Sequence, residues 1–212
     1  MPSMLELMDR TTIGVVDDML KMDLDRDAAA LLLAQSDAGG AQAADEIATI
    51  AAVCEKAGAS FVADTTDPDE GEALLAARRA ALPALEGLGE TLLDDVCVPR
   101  SAIPELISRV EQIAARQSVL IGTFGHAGDG NMHPTVVFDA ADPESTGRAM
   151  AAFEDILGVA LELGGTVTGE HGVGRLKRTA LGAELDGVST EVHAAIKAAL
   201  DPAGILNPGV MF

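Results

Sequence analysis

Hydrophobic positions along this chain recur with two periods, and the changes of period mark out its elements. From Ala43 to Ala57, Ile47, Ile50, Val53 and Cys54 return at helical spacing while Glu46 and Lys56 lie off that face, which predicts an amphipathic helix. Ser60 to Asp64 (SFVAD) reads as a short strand. Asp67-Pro68 opens a second helix, with Asp67 as N-cap and Pro68 at the first helical position. That helix carries Leu74, Leu75, Ala77, Arg78 and Leu82, and it is expected to stop near Pro83. Leu92 to Val98 (LLDDVCV) reads as a strand, and Ser101 to Ala115 as an amphipathic helix capped by Ser101. Ser118 to Phe124 and Pro134 to Phe138 are near-continuous apolar strands. Asp142-Pro143 starts a long helix bearing Met150, Phe153, Ile156, Leu157 and Ala160, closed by Gly164-Gly165, and Thr166 to Thr168 forms a last short strand.

In order, the second stretch is β-α-β-β-α-β, the ferredoxin-like split unit, with its central strands joined by a surface loop, GHAGDGNM. Before Leu92 only part of that pattern returns: a helix, a strand near Leu31 to Ala34, a helix, a strand and a helix. The expected fold class is therefore α+β, with duplicated ferredoxin-like units and helices packed on an antiparallel sheet. Residues 1–90 form the first, incomplete half, and residues 91–185 the second, carrying the glycine-rich loops. Residues 186–212 supply a helix and the tail LDPAGILNPGVMF, whose apolar end (Val210, Met211, Phe212) is expected to dock on the body.

Composition narrows the function. The 212 residues include 14 Lys and Arg against 34 Asp and Glu, a formal net charge of −20, which disfavours nucleic acid and anionic membrane surfaces as partners. With no Trp and no Tyr, stacking platforms for single strands are missing too. A hydrophobic content of 48% and a mean hydropathy of +0.25 fit a chain with a real core. Two cysteines, Cys54 and Cys97, make no disulfide framework and suit a reducing compartment; Cys54 reads as a small core hydrophobe. The opening MPSMLELMDR lacks a signal-peptide pattern, and no apolar run approaches the ~20 residues that span a bilayer. The expected location is cytoplasmic, at most peripheral to the inner face of a membrane.

Three of the four histidines fall in two glycine-flanked clusters. In GHAGDGNMH, His126 and His133 are seven residues apart, at the end of one strand and the start of the returning one. Across an antiparallel pair such residues approach to on the order of 5 Å, close enough to share one metal ion. GEHGVGRLKR supplies Glu170 and His171 just after the last strand, which a split unit brings beside the central hairpin. Two imidazoles and a carboxylate with open positions suit a catalytic Zn²⁺ or Mn²⁺ better than a closed structural site. At this level an ordinary pair of loops without metal stays open, as does Asp129 as a plain turn residue. GHAGDG is not G-x-G-x-x-G, Arg175-Leu176 stands where a phosphate loop needs Lys and Ser/Thr, and H-E-x-x-H does not occur. His193 reads as a solvated helix residue, on the side away from Val192, Ile196 and Leu200.

GHAGDGNMHPTVVFD, GGTVTGEHGVGRLKR and LDPAGILNPGVMF resemble, in this order, three C-terminal signatures of flavin-linked 2-hydroxyacid dehydrogenases. This group of vanillyl-alcohol-oxidase type flavoproteins includes D-lactate dehydrogenases, the glycolate oxidase flavin subunit and D-2-hydroxyglutarate dehydrogenase. LLAARRAALPAL and LLDDVCVPRSAIPEL resemble the segment before those signatures, so the similarity covers nearly the whole chain. It implies a substrate-binding cap of duplicated ferredoxin-like units that works with an N-terminal FAD-binding domain. No run in this sequence resembles that domain, so Met1 is expected to be an internal position and the chain alone to be inactive.

Residue by residue, the resemblance implies metal ligation by His126, His133 and Glu170. It makes His171 the base that takes the substrate hydroxyl proton, and Arg78 the partner of the substrate carboxylate, unless Arg78 is a helix-surface arginine like Arg79. Asn131 would face substrate and flavin, and Asn207 would touch the flavin half. The implied partners are the FAD domain, a small 2-hydroxy acid and an electron acceptor of unspecified kind, with a homodimer allowed. Leu75 stands where many members have Trp. Leu93 stands where the hydroxyglutarate enzymes have Lys, which favours a monocarboxylate such as lactate or glycolate. Val210 replaces a frequent basic residue after NPG. From the residues alone, a metal-dependent hydrolase using His126, His133 and Glu170, or a binding module with no chemistry, stays open.

Overall fold

A computed structural model describes residues 2–211. In chain order the elements are β1 (Met4–Asp9), α1 (Arg10–Leu20), β2 (Ala30–Gln35), α2 (Gly40–Lys56), α3 (Pro68–Arg79), α4 (Ala81–Glu86), β3 (Glu90–Leu93), β4 (Val96–Cys97), α5 (Ile103–Gln117), β5 (Leu120–His126), β6 (Asn131–Phe138), α6 (Pro143–Glu162), α7 (Arg178–Glu184) and α8 (Gly187–Leu200). One antiparallel sheet runs β2-β1-β5-β6-β3, with β4 also paired to β6. The molecule is α+β, as expected.

The sheet separates two cores. Alternation along β5 and β6 sends Ile121, Met132 and Val136 to one face, where they pack with Leu106, Val110 and Ile113 of α5 and Phe153, Ile156 and Leu157 of α6. Met8, Phe124 and Val137 point to the other face and meet Ile13 and Val16 of α1, Ala77 of α3 and Leu85 of α4. The helix starts follow local chemistry: the carboxylates of Asp9, Asp67 and Asp142 accept backbone N–H groups at the starts of α1, α3 and α6.

Several expectations are corrected. Met4–Asp9 is a strand where a helix was expected to lead the chain, because pairing to both β2 and β5 outweighs the helical leaning of Met, Leu and Glu. Ser60 to Asp64 is not a strand; with no ladder to join among the described residues, SFVAD leaves Phe61 80% exposed. LLDDVCV breaks at Asp94-Asp95 into β3 and β4. Ser101 lies within a 3-10 turn, Arg100–Ala102, so it caps nothing. Ser118 takes the left-handed conformation (φ 55°) that ends α5, and the strand after it starts only at Leu120. The helix bearing Arg78 ends at Arg79, and α4 then admits Pro83 in its first turn, where the missing N–H costs little. Thr166 to Thr168 shrinks to a single bridge, Cys97 to Thr166. Cys54 is half-buried on α2, a helix with no buried residue, and takes no part in either core.

The tail docks in part. The Met211 N–H donates to the Gly174 carbonyl, and Met211 packs against the α5–α6 core. Phe212 lies outside the described residues.

Candidate functional site

The loop between β5 and β6 is shorter than the motif suggested. His126 closes β5 and Asn131 opens β6, leaving only residues 127–130 as a turn. The Asp129 carboxylate accepts the Asn131 N–H across it, so Asp129 is a turn residue. Gly130 has φ 91°, and a Cβ there would come within 2.0 Å of the Val98 carbonyl, so only glycine fits.

Strand register then assembles the site on one sheet face. Glu6 pairs with His126, His126 with Asn131, and Phe124 with His133. Leu93 opposite Thr135 and Val96 opposite Met132 place Asp95 opposite His133. Period-two alternation therefore lines up Glu6, His126, His133, Asn131 and Asp95 across neighbouring strands. The loop after Thr166 crosses this row and adds Glu170 and His171.

The convergence is tight. Glu170 Oε1 lies 3.5 Å from His126 Nε2, 3.4 Å from His133 Nε2 and 3.5 Å from His171 Nε2. The His126 and His133 rings meet edge-on with centroids 5.4 Å apart, while His133 and His171 stack at 5.1 Å. Atoms bound at about 2.1 Å to a tetrahedral ion stand about 3.4 Å from one another, which is close to the separation of Glu170 Oε1 from each ring. His126 Nδ1 is 2.6 Å from Glu6 Oε1, an arrangement that holds the ring with Nε2 toward Glu170, as carboxylate partners of metal-bound histidines do. Among the described residues, the group whose ligand atoms all lie within 4.8 Å of one another is Asp95, His133, Glu170 and His171; His126, expected as a ligand, is not in it. Asp95 is nonetheless a poor ligand, since its oxygens already accept from Asn131, Thr168 and three backbone N–H groups.

The protonation preferences differ within the cluster. Burial, together with the nearby His126 and His171, pushes the His133 pKa down to about 4, keeping a ring nitrogen unprotonated and available. Burial works against a charged His126 as well, but the hydrogen bond and charge of Glu6, with Glu170, outweigh it and move its pKa upward. Burial likewise opposes ionised Asp95, yet the donors Asn131, His171 N–H, Glu170 N–H and Thr168 hold its carboxyl well below the usual range.

Arg78, at the end of α3, donates from Nε to Glu6 Oε2 at 2.7 Å and lies over the Phe124 ring at 4.8 Å. Glu6 thus links it to His126, while its two terminal nitrogens carry no hydrogen bond among the described residues. Asn131 is buried, with its amide N donated to Asp95 Oδ1 at 2.8 Å and to the Val96 carbonyl. Asn207 occupies an exposed turn (φ 48°) and shares no bond with the cluster among the described residues. His193 is half-buried on α8, with Nδ1 2.7 Å from the Ser189 carbonyl, rather than a freely solvated residue.

Sequence reading passed over four residues here: Glu6, Asp94, Asp95 and Lys177. Lys177 is buried, paired with Asp94 Oδ1 at 2.9 Å, and donates to the Asp95 and Val167 carbonyls, both at 2.8 Å. Burial raises the Asp94 pKa to about 6 despite Lys177. The available signal was two adjacent acids inside an apolar strand, a pattern that has to be partnered to be buried.

Over 212 residues the chain is 42% identical to the glycolate oxidase subunit GlcD of Bacillus subtilis (strain 168), covering all of this chain and 45% of that protein. It is 33% identical over 209 residues to GlcD of Escherichia coli (strain K12), covering 98% of this chain and 42% of that one. A mitochondrial D-lactate dehydrogenase [cytochrome] of Arabidopsis thaliana is 38% identical over 146 residues, 68% of this chain and 26% of its own length. The chain thus spans less than half the length of these relatives. Among solved structures, 4-ethylphenol oxidase from Gulosibacter chungangensis superposes with a TM-score of 0.65 at 15% identity, over 97% of this chain and 46% of that one, a likeness of fold. The model of the C-terminal domain of FAD-linked oxidases matches residues 1–211, and this chain belongs to that family.

Proposed function

We propose that this chain is the substrate- and metal-binding half of a flavin-dependent enzyme that oxidises a small D-2-hydroxy acid, of the lactate or glycolate type, to the 2-oxo acid. The observation that carries the reading is one carboxylate oxygen, Glu170 Oε1, standing 3.4–3.5 Å from three imidazole Nε2 atoms. His126, His133 and Glu170 would hold a divalent cation, Zn²⁺ or Mn²⁺, by donor type. The side chains of Glu170 and His171 are 53% and 48% exposed, which leaves room for substrate and for a flavin presented by a companion domain. When bound, the cation supplies Lewis acidity toward the hydroxyl oxygen, and the flavin supplies the hydride acceptor.

The chain's own residues do the rest. His171, half-exposed where His133 is 4% exposed, is the imidazole a substrate can reach, and its Nε2 takes the hydroxyl proton. Arg78 offers its unpaired terminal nitrogens to the carboxylate as a fork, and Glu6 and Phe124 keep that fork from swinging away. Leu93 lines the cleft beside His171, together with Arg175 and Lys177.

In the complete protein, glycolate or D-lactate is expected to bleach the flavin band without oxygen, and His133→Ala is expected to lose bound metal. Failure of both acids to bleach the flavin, or equal metal content in wild type and His133→Ala, overturns the reading.

A further inference from the structure

We propose that Asp95 is the positioning residue of this site, a buried carboxylate that draws the loop carrying Glu170 and His171 onto the strand carrying His133. The inference rests on the reading above and concerns a residue that touches neither substrate nor metal in it. Five groups converge on the two Asp95 oxygens: Thr168 Oγ1 at 3.0 Å, the backbone N–H groups of Gly169, Glu170 and His171 at 3.0, 3.1 and 2.8 Å, and Asn131 Nδ2 at 2.8 Å.

Three consecutive N–H groups aimed at one carboxylate give the loop a fixed path. Glu170 and His171 leave that path side by side, so a single anchor sets a metal ligand and the base together. Charge-assisted bonds of this kind are the strong ones, and Asp95 is 1% exposed, which removes competition from water.

The anchor is itself held. Leu93 and Val96 pair with β6 on either side of it, and Lys177 grips its main-chain carbonyl while neutralising the neighbouring Asp94. Gly169 permits the approach, because a Cβ there would fall 1.8 Å from Asn131 Nδ2. With about four lone-pair sites already engaged by five donors, Asp95 has none to lend a cation. Its Oδ1 stays 3.8 Å from His133 Nδ1, a buried ring nitrogen with no hydrogen-bond partner among the described residues.

The test uses Asp95→Asn in the complete, flavin-loaded protein, with Co²⁺ as the metal probe. Competition titration is expected to show affinity for Co²⁺ reduced by about 10–100-fold, the usual effect of losing a residue that orients a ligand. At saturating Co²⁺ the visible band is expected to match wild type while kcat falls more than KM rises, because His171 is displaced and Arg78 is not. Thr168→Val removes one of the five donors and is expected to shift affinity the same way by a few-fold, which keeps the test alive if Asp95→Asn folds poorly.

A changed Co²⁺ band at saturation would make Asp95 a ligand and overturn the proposal. Unchanged affinity and kcat in Asp95→Asn, with His133→Ala still losing metal, would overturn it while leaving the site reading standing. Wild type that binds no Co²⁺ would overturn the site reading itself, and the proposal with it.

Discussion

Helices α6 and α2 are similar on paper and opposite in the fold. Both are long and carry apolar residues at helical spacing, yet α6 buries seven residues, from Ala149 through Phe153 to Ala160, and α2 buries none of its 17. The same holds at the C-terminal end. Val188, Val192, Ile196 and Leu200 recur every fourth residue of α8, and all four are exposed. Periodicity states that a helix has an apolar face; it does not state what that face meets. The candidate site stands on the densely packed side of this contrast. His126 ends β5 and His133 lies inside β6, the two best-paired strands, and Glu170 and His171 are tied to β6 through Asp95 and Asn131.

Changes on the two sides of this contrast differ in size. The largest effect is expected at the chemistry: His171→Asn in the complete protein should lower turnover by roughly 10²–10⁴-fold with bound metal unchanged, checked by steady-state rates and metal analysis. Unaltered turnover would remove His171 from the mechanism. Next comes packing. Phe153→Ala should destabilise by about 3–5 kcal/mol, whereas Val53→Ala on α2 should stay within about 0.5 kcal/mol, both measured by denaturant unfolding. Equal costs would break the comparison.

A smaller effect follows from His133. Its folded pKa, about 4, lies below the free imidazole value of 6.5, so between those values the unfolded chain binds a proton that the fold refuses. Stability contributed this way is complete above 6.5 and is lost as pH falls toward 4, by up to about 1.4 kcal/mol per pH unit. Metal-free His133→Gln should therefore lose less stability than wild type between pH 6.5 and 4.5 in unfolding titrations. The least effect is local opening: limited chymotrypsin digestion should cut first after Phe61, well before Phe124 or Phe153, as mass spectrometry would show. A first cut at Phe124 would place the loose region elsewhere.

Much of this molecule was legible in its residues. The caps at Asp67 and Asp142, the two strands around the glycine turn and the helix bearing Phe153 follow from local chemistry, and all are present. The three histidines and Glu170 stood out as a group because they lie in two glycine-flanked clusters that resemble a family's signatures. What was misread has a common cause. Met4–Asp9 has the composition of a helix and became a strand because two neighbours were there to pair with it, while SFVAD has the composition of a strand and stayed unpaired because, among the described residues, none was.

The chain's own chemistry therefore determined which residues are able to hold a metal, take a proton or pair with a carboxylate, since those capacities belong to single side chains. Only the tertiary structure decided that Glu6 stands behind His126 and Asp95 beneath Glu170, partners 120 and 75 positions apart in the sequence. Such pairings arise from sheet register, which depends on contacts made at a distance and leaves no mark on the residues nearby.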